Sequence, residues 1–342
     1  METRFRPGNE LGTLFHEEVV APLLAGVAYA AARVGPGSDV LGFDTPQSVD
    51  HGWGPSLQVF VAPADVPRVR AIIDAGLPES FHGWPVRFSR GDDSPVRHFV
   101  GVDTLPGWLR GHLHFEPAVA TPLDWLAVPQ QRLLEATAGP TLADPDGELG
   151  RVRAALMWFP DQVHRYLLAC AWARIAQEEA FVGRTAQVGD ELGSRILAAR
   201  LARDVMRVAF LLARRYWPYP KWFGSAFARL PIAGELSEQL ARAVSATGHA
   251  AREAALVEAY GIVARAHNAS GLTVPVDPAP RPFHERPFLV LGAERFAEAA
   301  AATLTDPWLR GLPLIGSVDM FADSTDLLDR DLRAAYAAAV AG

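Results

Sequence analysis

GPGSDVLGFDTPQSVDHGWGPSLQVFV, residues Gly35 to Val61, is the stretch whose reading decides the fold. A glycine-serine turn, Gly37-Ser38, leads through a polar loop carrying Asp39 and Asp44 to Asp50, at the mouth of an apolar strand. The strand alternates, with Leu57, Val59 and Val61 on one face and Gln58 and Phe60 on the other. A Gly-Ser turn can aim backbone N–H groups and a hydroxyl at a phosphate, and a nearby carboxylate can hold the magnesium that a phosphate brings. Gly37, Ser38 and Asp50 have those roles open to them. Gly-Ser dipeptides occur at 37, 193, 224 and 316, and only the first is followed by an acidic strand.

Ahead of this stretch, Leu11, Phe15, Val19, Leu23, Val27 and Ala31 recur at steps of four, which predicts an amphipathic helix over 8–34. Behind it, Asp65 is placed to cap a short helix, Val66 to Ala75, and strands are expected at 84–88 and 96–102. Helices are expected at 106–113 and 121–137. Residues 139–147, GPTLADPDG, are dense in turn formers and predict a linker. Helices dominate from there, at 148–158, 161–181, 190–217, 235–246 and 249–268. The helix over 190–217 is expected to bury Leu192, Ile196, Leu201, Val205, Val208 and Leu212. A Pro-rich connection precedes a strand at 288–291 and helices near 293–304 and 326–339. The chain therefore reads as α+β: an N-terminal α/β domain, 1–138, and a larger, mainly helical domain, 148–342.

A chain of 342 residues suits two domains, and 49% hydrophobic with 21% charged residues is a globular composition. The one cysteine, Cys170, cannot form an intrachain disulfide, which favours an intracellular setting. The start, METRFRPGNE, is polar, and no uncharged apolar run approaches membrane-helix length, so a soluble, cytoplasmic protein is expected. A net charge of −7 argues against a general DNA or RNA binder. Of the 32 basic residues only Lys221 is lysine, which suggests a position that needs a compact ammonium and not a planar fork.

GSDVLGFD, DHGWGP, EEAFVGRT, GDELGSR, RRYWPYPKWFG, His267-Asn268 and RPF at 286–288 together give the chain a family likeness. Nearly end to end it resembles the family catalogued as domain of unknown function 4037. More broadly it resembles the nucleotidyltransferase superfamily of the polymerase-beta type, marked by a Gly-Ser turn followed by Asp-x-Asp. That superfamily places acids at alternate strand positions, where both point to one side and grip the same pair of metal ions. Here the second position is Gly52, which offers no oxygen. Asp103, closing the apolar run Phe99 to Val102, is the best-placed substitute, with Asp39 and Asp44 as others.

Between Arg195 and Lys221 the chain carries +6, with Asp204 the one acid. Arg200, Arg203, Arg207 and Arg214 share a helical face, either as a salt-bridged surface or as an anion site. Tyr216, Trp217, Tyr219 and Trp222 surround Lys221 and read as core or as a base-stacking wall. Arg184 enters a turn, and His267-Asn268 can cap a helix or meet a ligand. His112-x-His114 lacks a third ligand nearby, and no nucleophile elbow, Walker lysine or dinucleotide fingerprint occurs.

The resemblance implies an NTP-dependent nucleotidyltransferase with Mg2+ as cofactor and a nucleotide in the cleft between the domains. Gly37 and Ser38 would cradle the phosphates, and Asp50 and Asp103 would be the catalytic metal ligands. Lys221, with Arg203 or Arg184, would offset charge on the leaving pyrophosphate. The acceptor is left open among a small molecule, a protein side chain and an RNA end. The competing readings are a catalytically silent nucleotide-binding or partner-docking protein, to which Gly52 points, and a helical structural module with a vestigial first domain.

Overall fold

The first helix ends sooner than its apolar spacing predicts. In this computed structural model, which describes residues 5–50, 52–89 and 95–340, α1 (Gly8–Phe15) continues through a π-type turn, His16–Val20, into a last helical turn, Ala21–Leu23. His51 of the DHGWGP motif and the outermost residues of both expected domains lie outside the described residues. Gly26, at φ +80°, takes a left-handed conformation that turns the chain out of the helix. Ala30–Ala32 then forms β1, paired antiparallel with β2 (Ser56–Phe60), Ala31 opposite Val59. Alanine favours helix, and here the sheet partner outweighs that preference.

After β2 the chain crosses through α2 (Val66–Gly76), forms the short β3 (Arg87–Phe88) and returns as β4 (Arg97–Asp103). β4 lies parallel to β2, which requires such a crossover, and Ser56 is beside Phe99 and Phe60 beside Asp103. α3 (Leu105–Leu113) follows, and β5 (Thr141–Ala143) completes the sheet in the order β3-β4-β2-β1-β5. The stretch 139–147 is therefore not a linker: its turn formers flank a strand that pairs with β1. Gly139 permits the approach, because a Cβ there would lie 1.9 Å from the Arg33 carbonyl oxygen.

Side chains sort cleanly between the two faces of the sheet. Leu57, Val59, Val100 and Val102 face Leu11, Phe15, Val69 and Ile73 in the core of this unit. Ser56, Gln58 and Phe60 of β2, with Phe99, Gly101 and Asp103 of β4, occupy the opposite face. Contacts divide the chain into two units, residues 1–120 with 131–157, and 121–130 with 158–342. The assignment of α4 (Glu148–Leu156) to the first unit and of 121–130 to the second departs from the boundaries expected from composition.

The second unit is built on α5 (Asp161–Glu178), α6 (Phe181–Gln187), α7 (Glu191–Leu212), α8 (Pro220–Phe227), α9 (Ala233–Ser245), α10 (His249–Ala269) and α11 (Glu294–Ala301). The inward stripe of α7 is Ser194, Ala198, Leu201, Val205 and Val208. Leu192 and Ile196, expected in that stripe, are 70% and 54% exposed. Ser194 faces inward, where its Oγ accepts from the fully buried Arg252 at 2.7 Å, and Arg252 also pairs with Glu191 at 2.5 Å. The described part of the final helix, expected at 326–339, spans Arg333–Val340. Among the described residues no helix is long and apolar enough to cross a membrane.

His267 is fully buried and structural: its Nδ1 accepts from the Trp172 indole N–H at 3.0 Å, leaving Nε2–H to donate to Thr273 Oγ1 at 2.8 Å. Asn268 pins the Pro-rich connection, accepting from Val276 N and donating to Val276 O. Burial lowers the His267 imidazole to about 4, so between there and its ordinary 6.5 the unfolded chain binds more protons than the folded one. The stability that this residue contributes should be full above pH 6.5 and fall as pH drops toward 4, by about 3 kcal/mol. Urea denaturation of wild type and of His267→Gln, which keeps an acceptor and a donor, between pH 7.5 and pH 4.5 checks this: the difference between the two should change by about 3 kcal/mol across the range, while the shifted groups common to both, such as His164 and Glu179, cancel.

Candidate functional site

β1 and β2 are antiparallel, so the loop from Arg33 to Pro55 leaves and re-enters the sheet at one end. Its shape is set by a buried ion pair that sequence reading missed. Arg33 and Asp39 are 3% and 6% exposed, and the guanidinium holds the carboxylate with two bonds, Nε to Oδ2 at 2.7 Å and Nη2 to Oδ1 at 2.9 Å. The same fork donates to the carbonyls of Val34 at 2.9 Å and Pro36 at 3.4 Å. One side chain thus fixes the start and middle of the turn. Gly37, at φ +149°, is required, because a Cβ there would stand 2.2 Å from Asp39 Oδ1. The turn closes with Phe43 N donating to Ser38 O and Gly42 N to Asp39 O, both at 2.9 Å.

Asp44 is spent in a similar way. Its Oδ2 accepts from the first amide of α1, Gly8 N, at 2.7 Å and from the Trp53 indole at 3.2 Å, and Trp53 packs edge-on against Trp84. Asp39 and Asp44, the two reserve metal ligands of the sequence reading, therefore hold the loop in place, Asp39 against Arg33 and Asp44 against α1. Ser38 is half-buried, and Asp50 is exposed at the end of a 3-10 turn, Pro46–Asp50. Gly52 takes φ +66° ahead of the strand, so the position lacks both a carboxylate and the extended backbone that aims alternate side chains to one side.

Asp103 is at the other end of the sheet. It closes β4 beside Phe60, whereas Asp50 precedes the start of β2, and four strand residues span about 13 Å. Asp103 Oδ1 accepts from Thr104 N at 2.7 Å at the entry to α3. Among the described residues no group of three or more His, Cys, Asp and Glu could hold a metal ion. The side chains present do not fit the two-ion site expected of Asp50 and Asp103. His112 is likewise no ligand: it stacks on Trp108, and burial beside Arg132 lowers it to about 3.

A cavity of about 490 Å3 lies along the sheet from Gly35 and Pro36 to Asp103, within the size range of small-molecule sites. Its wall includes Arg33, Gln58, Arg70, Arg97, Asp103 and Trp108. Gln58 lies flat across Gly101, where a Cβ would come within 2.0 Å of its Oε1. Of the expected site residues, Asp103 alone lines this cavity.

In the second unit the basic face is mostly ion-paired. Arg203 meets Asp323 at 3.0 Å, Arg200 meets Glu178 at 2.5 Å, and buried Arg207 meets Asp204 at 2.9 Å and the Asp319 carbonyl at 2.8 Å. Arg174, spaced for Glu178, instead approaches Asp204 at 3.5 Å. Tyr216 and Trp217 are core. Arg184 is exposed over the Phe181 ring, and Lys221 is exposed with its Nζ 5.0 Å from the Trp222 ring centre.

The sequence model of the family described as domain of unknown function (DUF4037) matches residues 125–223, so the likeness read from the motifs is borne out over that segment. No curated protein matches the chain. Among solved structures, a nucleotidyltransferase-like protein from Exiguobacterium sibiricum is 10% identical, covering 81% of this chain and 83% of its own, at a TM-score of 0.32. A likeness that low adds nothing to what the strand pairing and the loop already show.

The Arg33–Asp39 pair makes the loop sensitive to a single change. Asp39→Ala leaves a buried guanidinium without its partner and should lower the unfolding free energy by about 3–5 kcal/mol, read by urea denaturation. Pairing it with Arg33→Met should recover most of the loss; a single-variant loss under about 1 kcal/mol would show that the pair does not hold the loop.

Proposed function

We propose that this chain is a nucleotide-binding protein of the nucleotidyltransferase-like kind that holds a triphosphate on the Gly37-Ser38 turn without transferring it. What carries the reading is the state of the loop. Its turn is built in advance, while its nearby carboxylates, Asp39 and Asp44, are consumed in building it. An anion site needs preformed N–H donors and room for oxygen atoms, and a glycine turn fixed by a buried ion pair supplies the first at little ordering cost. Transfer needs clustered acids, and Gly52 withholds one of them in chemistry and in backbone. Asp50 is exposed on the loop, where a carboxylate can meet the magnesium that accompanies a triphosphate.

Isothermal titration with inorganic triphosphate and with the four ribonucleoside triphosphates in magnesium should show binding. Gly37→Ala, which drives a methyl into Asp39, should weaken it at least tenfold. Labelled nucleotides should release no pyrophosphate above the background of a heat-treated sample. Magnesium-dependent release that disappears in Asp50→Ala would overturn the silent reading in favour of a transferase, and absence of triphosphate binding would remove the phosphate site itself.

A further inference from the structure

The cavity on the sheet face gives Asp103 a place that metal chemistry does not explain. Gln58 and Asp103 are on the same face of neighbouring strands: Gln58 is beside Gly101 in the parallel register, and Asp103 is two residues further along β4. The Gln58 Nε2 donates to the Val59 carbonyl at 3.1 Å, which orients the amide and turns its Oε1 over Gly101. Asp103 uses Oδ1 on the Thr104 amide at 2.7 Å, so Oδ2 is available to a ligand. Two acceptors are thus fixed in orientation on one wall of the cavity, each by a bond to backbone. Arg33, Arg70, Arg97, Asp74 and His98 also line it; Arg33 is committed to Asp39, Arg70 donates one bond to the Val102 carbonyl at 3.0 Å and His98 meets Asp74 at 2.7 Å, while Gly35 and Pro36 form its end beside the Gly-Ser turn.

A wall that offers acceptors calls for a ligand that brings donors, and Arg70 and Arg97, with Asp74 beside them, admit one that also carries negative charge. Burying an acceptor without a donor costs about 1–3 kcal/mol, so ligands lacking the matching hydroxyl are selected against. We propose that this cavity holds the sugar of the bound nucleotide, with the ribose hydroxyls donating to Asp103 Oδ2 and Gln58 Oε1, so that the site prefers ribonucleotides to deoxyribonucleotides. Gly101 is then a specificity residue, since only a residue without a side chain lets Gln58 lie across the strand. The inference rests on the phosphate-loop reading above and adds to it the part of the ligand that is recognised.

Titration of the full chain with each ribonucleoside triphosphate, its 2′-deoxy counterpart and inorganic triphosphate separates the two ideas. Wild type should bind the preferred ribonucleotide at least tenfold more tightly than the deoxy form. Asp103→Asn keeps the bond to Thr104 but presents an NH2 to the hydroxyls, and Gly101→Ala displaces Gln58. Both should remove the ribose preference while leaving inorganic triphosphate affinity within about twofold, with circular dichroism and melting curves confirming that each variant is folded. Equal affinity for ribo and deoxy forms in wild type, with inorganic triphosphate still bound, overturns the sugar site and spares the phosphate loop. If inorganic triphosphate and nucleotides both fail to bind wild type, the phosphate loop falls and the sugar site falls with it.

Discussion

A guanidinium buried beside a carboxylate governs the shape of the loop on which the phosphate site is proposed. Taking Arg33 and Asp39 out of water is costly, and their attraction offsets that cost only while the geometry is good and the remaining donors are used. Here Nη1 and Nη2 find the Val34 and Pro36 carbonyls, so the pair, the strand end and the turn satisfy one another. Such a pair adds little net stability over an apolar one, but it admits few alternative arrangements. The consequence is a loop with one shape, closed against the first amide of α1 by Asp44.

That economy explains why the acids of the loop are poor candidates for metal. A carboxylate that accepts two N–H groups of a buried guanidinium, or a backbone amide and an indole, has its lone pairs directed inward. Residues that look catalytic in a one-dimensional motif can therefore be the scaffold of the same motif. Gly52 completes the pattern, because its left-handed backbone moves the position out of the extended geometry that alternate acids require. The second unit shows the same logic: its run of arginines is answered by acids that the chain supplies from elsewhere, such as Asp323 for Arg203.

Much of the framework was legible in the sequence. The alternation of Leu57, Val59 and Val61 gave the sorting of β2 between core and opposite face, and the long helices of the second unit fall close to the ranges expected of them. β1 was not legible, because Ala30–Ala32 continues a four-residue spacing and becomes a strand only when β2 and β5 flank it. For the same reason Arg33 was hidden inside an expected helix, and with it the ion pair that shapes the loop. Thr141–Ala143 was masked by its turn-forming neighbours, and the start of the inward stripe of α7 was misplaced because Ser194, a polar residue, turns inward to accept from Arg252, which is distant in sequence.

Asp103 shows why sequence proximity to a strand end is an incomplete guide to a site. An acid at the end of an apolar run reads as a metal ligand only if the other ligands arrive at that same end, and strand direction decides this. β4 runs parallel to β2, so its last residue stands beside the last residue of β2 and not beside the loop that precedes it. The antiparallel β1–β2 pair brings Gly37, Ser38 and Asp50 to one end, and the parallel β2–β4 pair carries Asp103 to the other. A ligand that engages both ends must extend along the sheet face, with its anionic part by the turn and its donor groups by Asp103. The cavity between Gly35 and Asp103 offers that path, and the role proposed for Asp103 in it needs no metal ion.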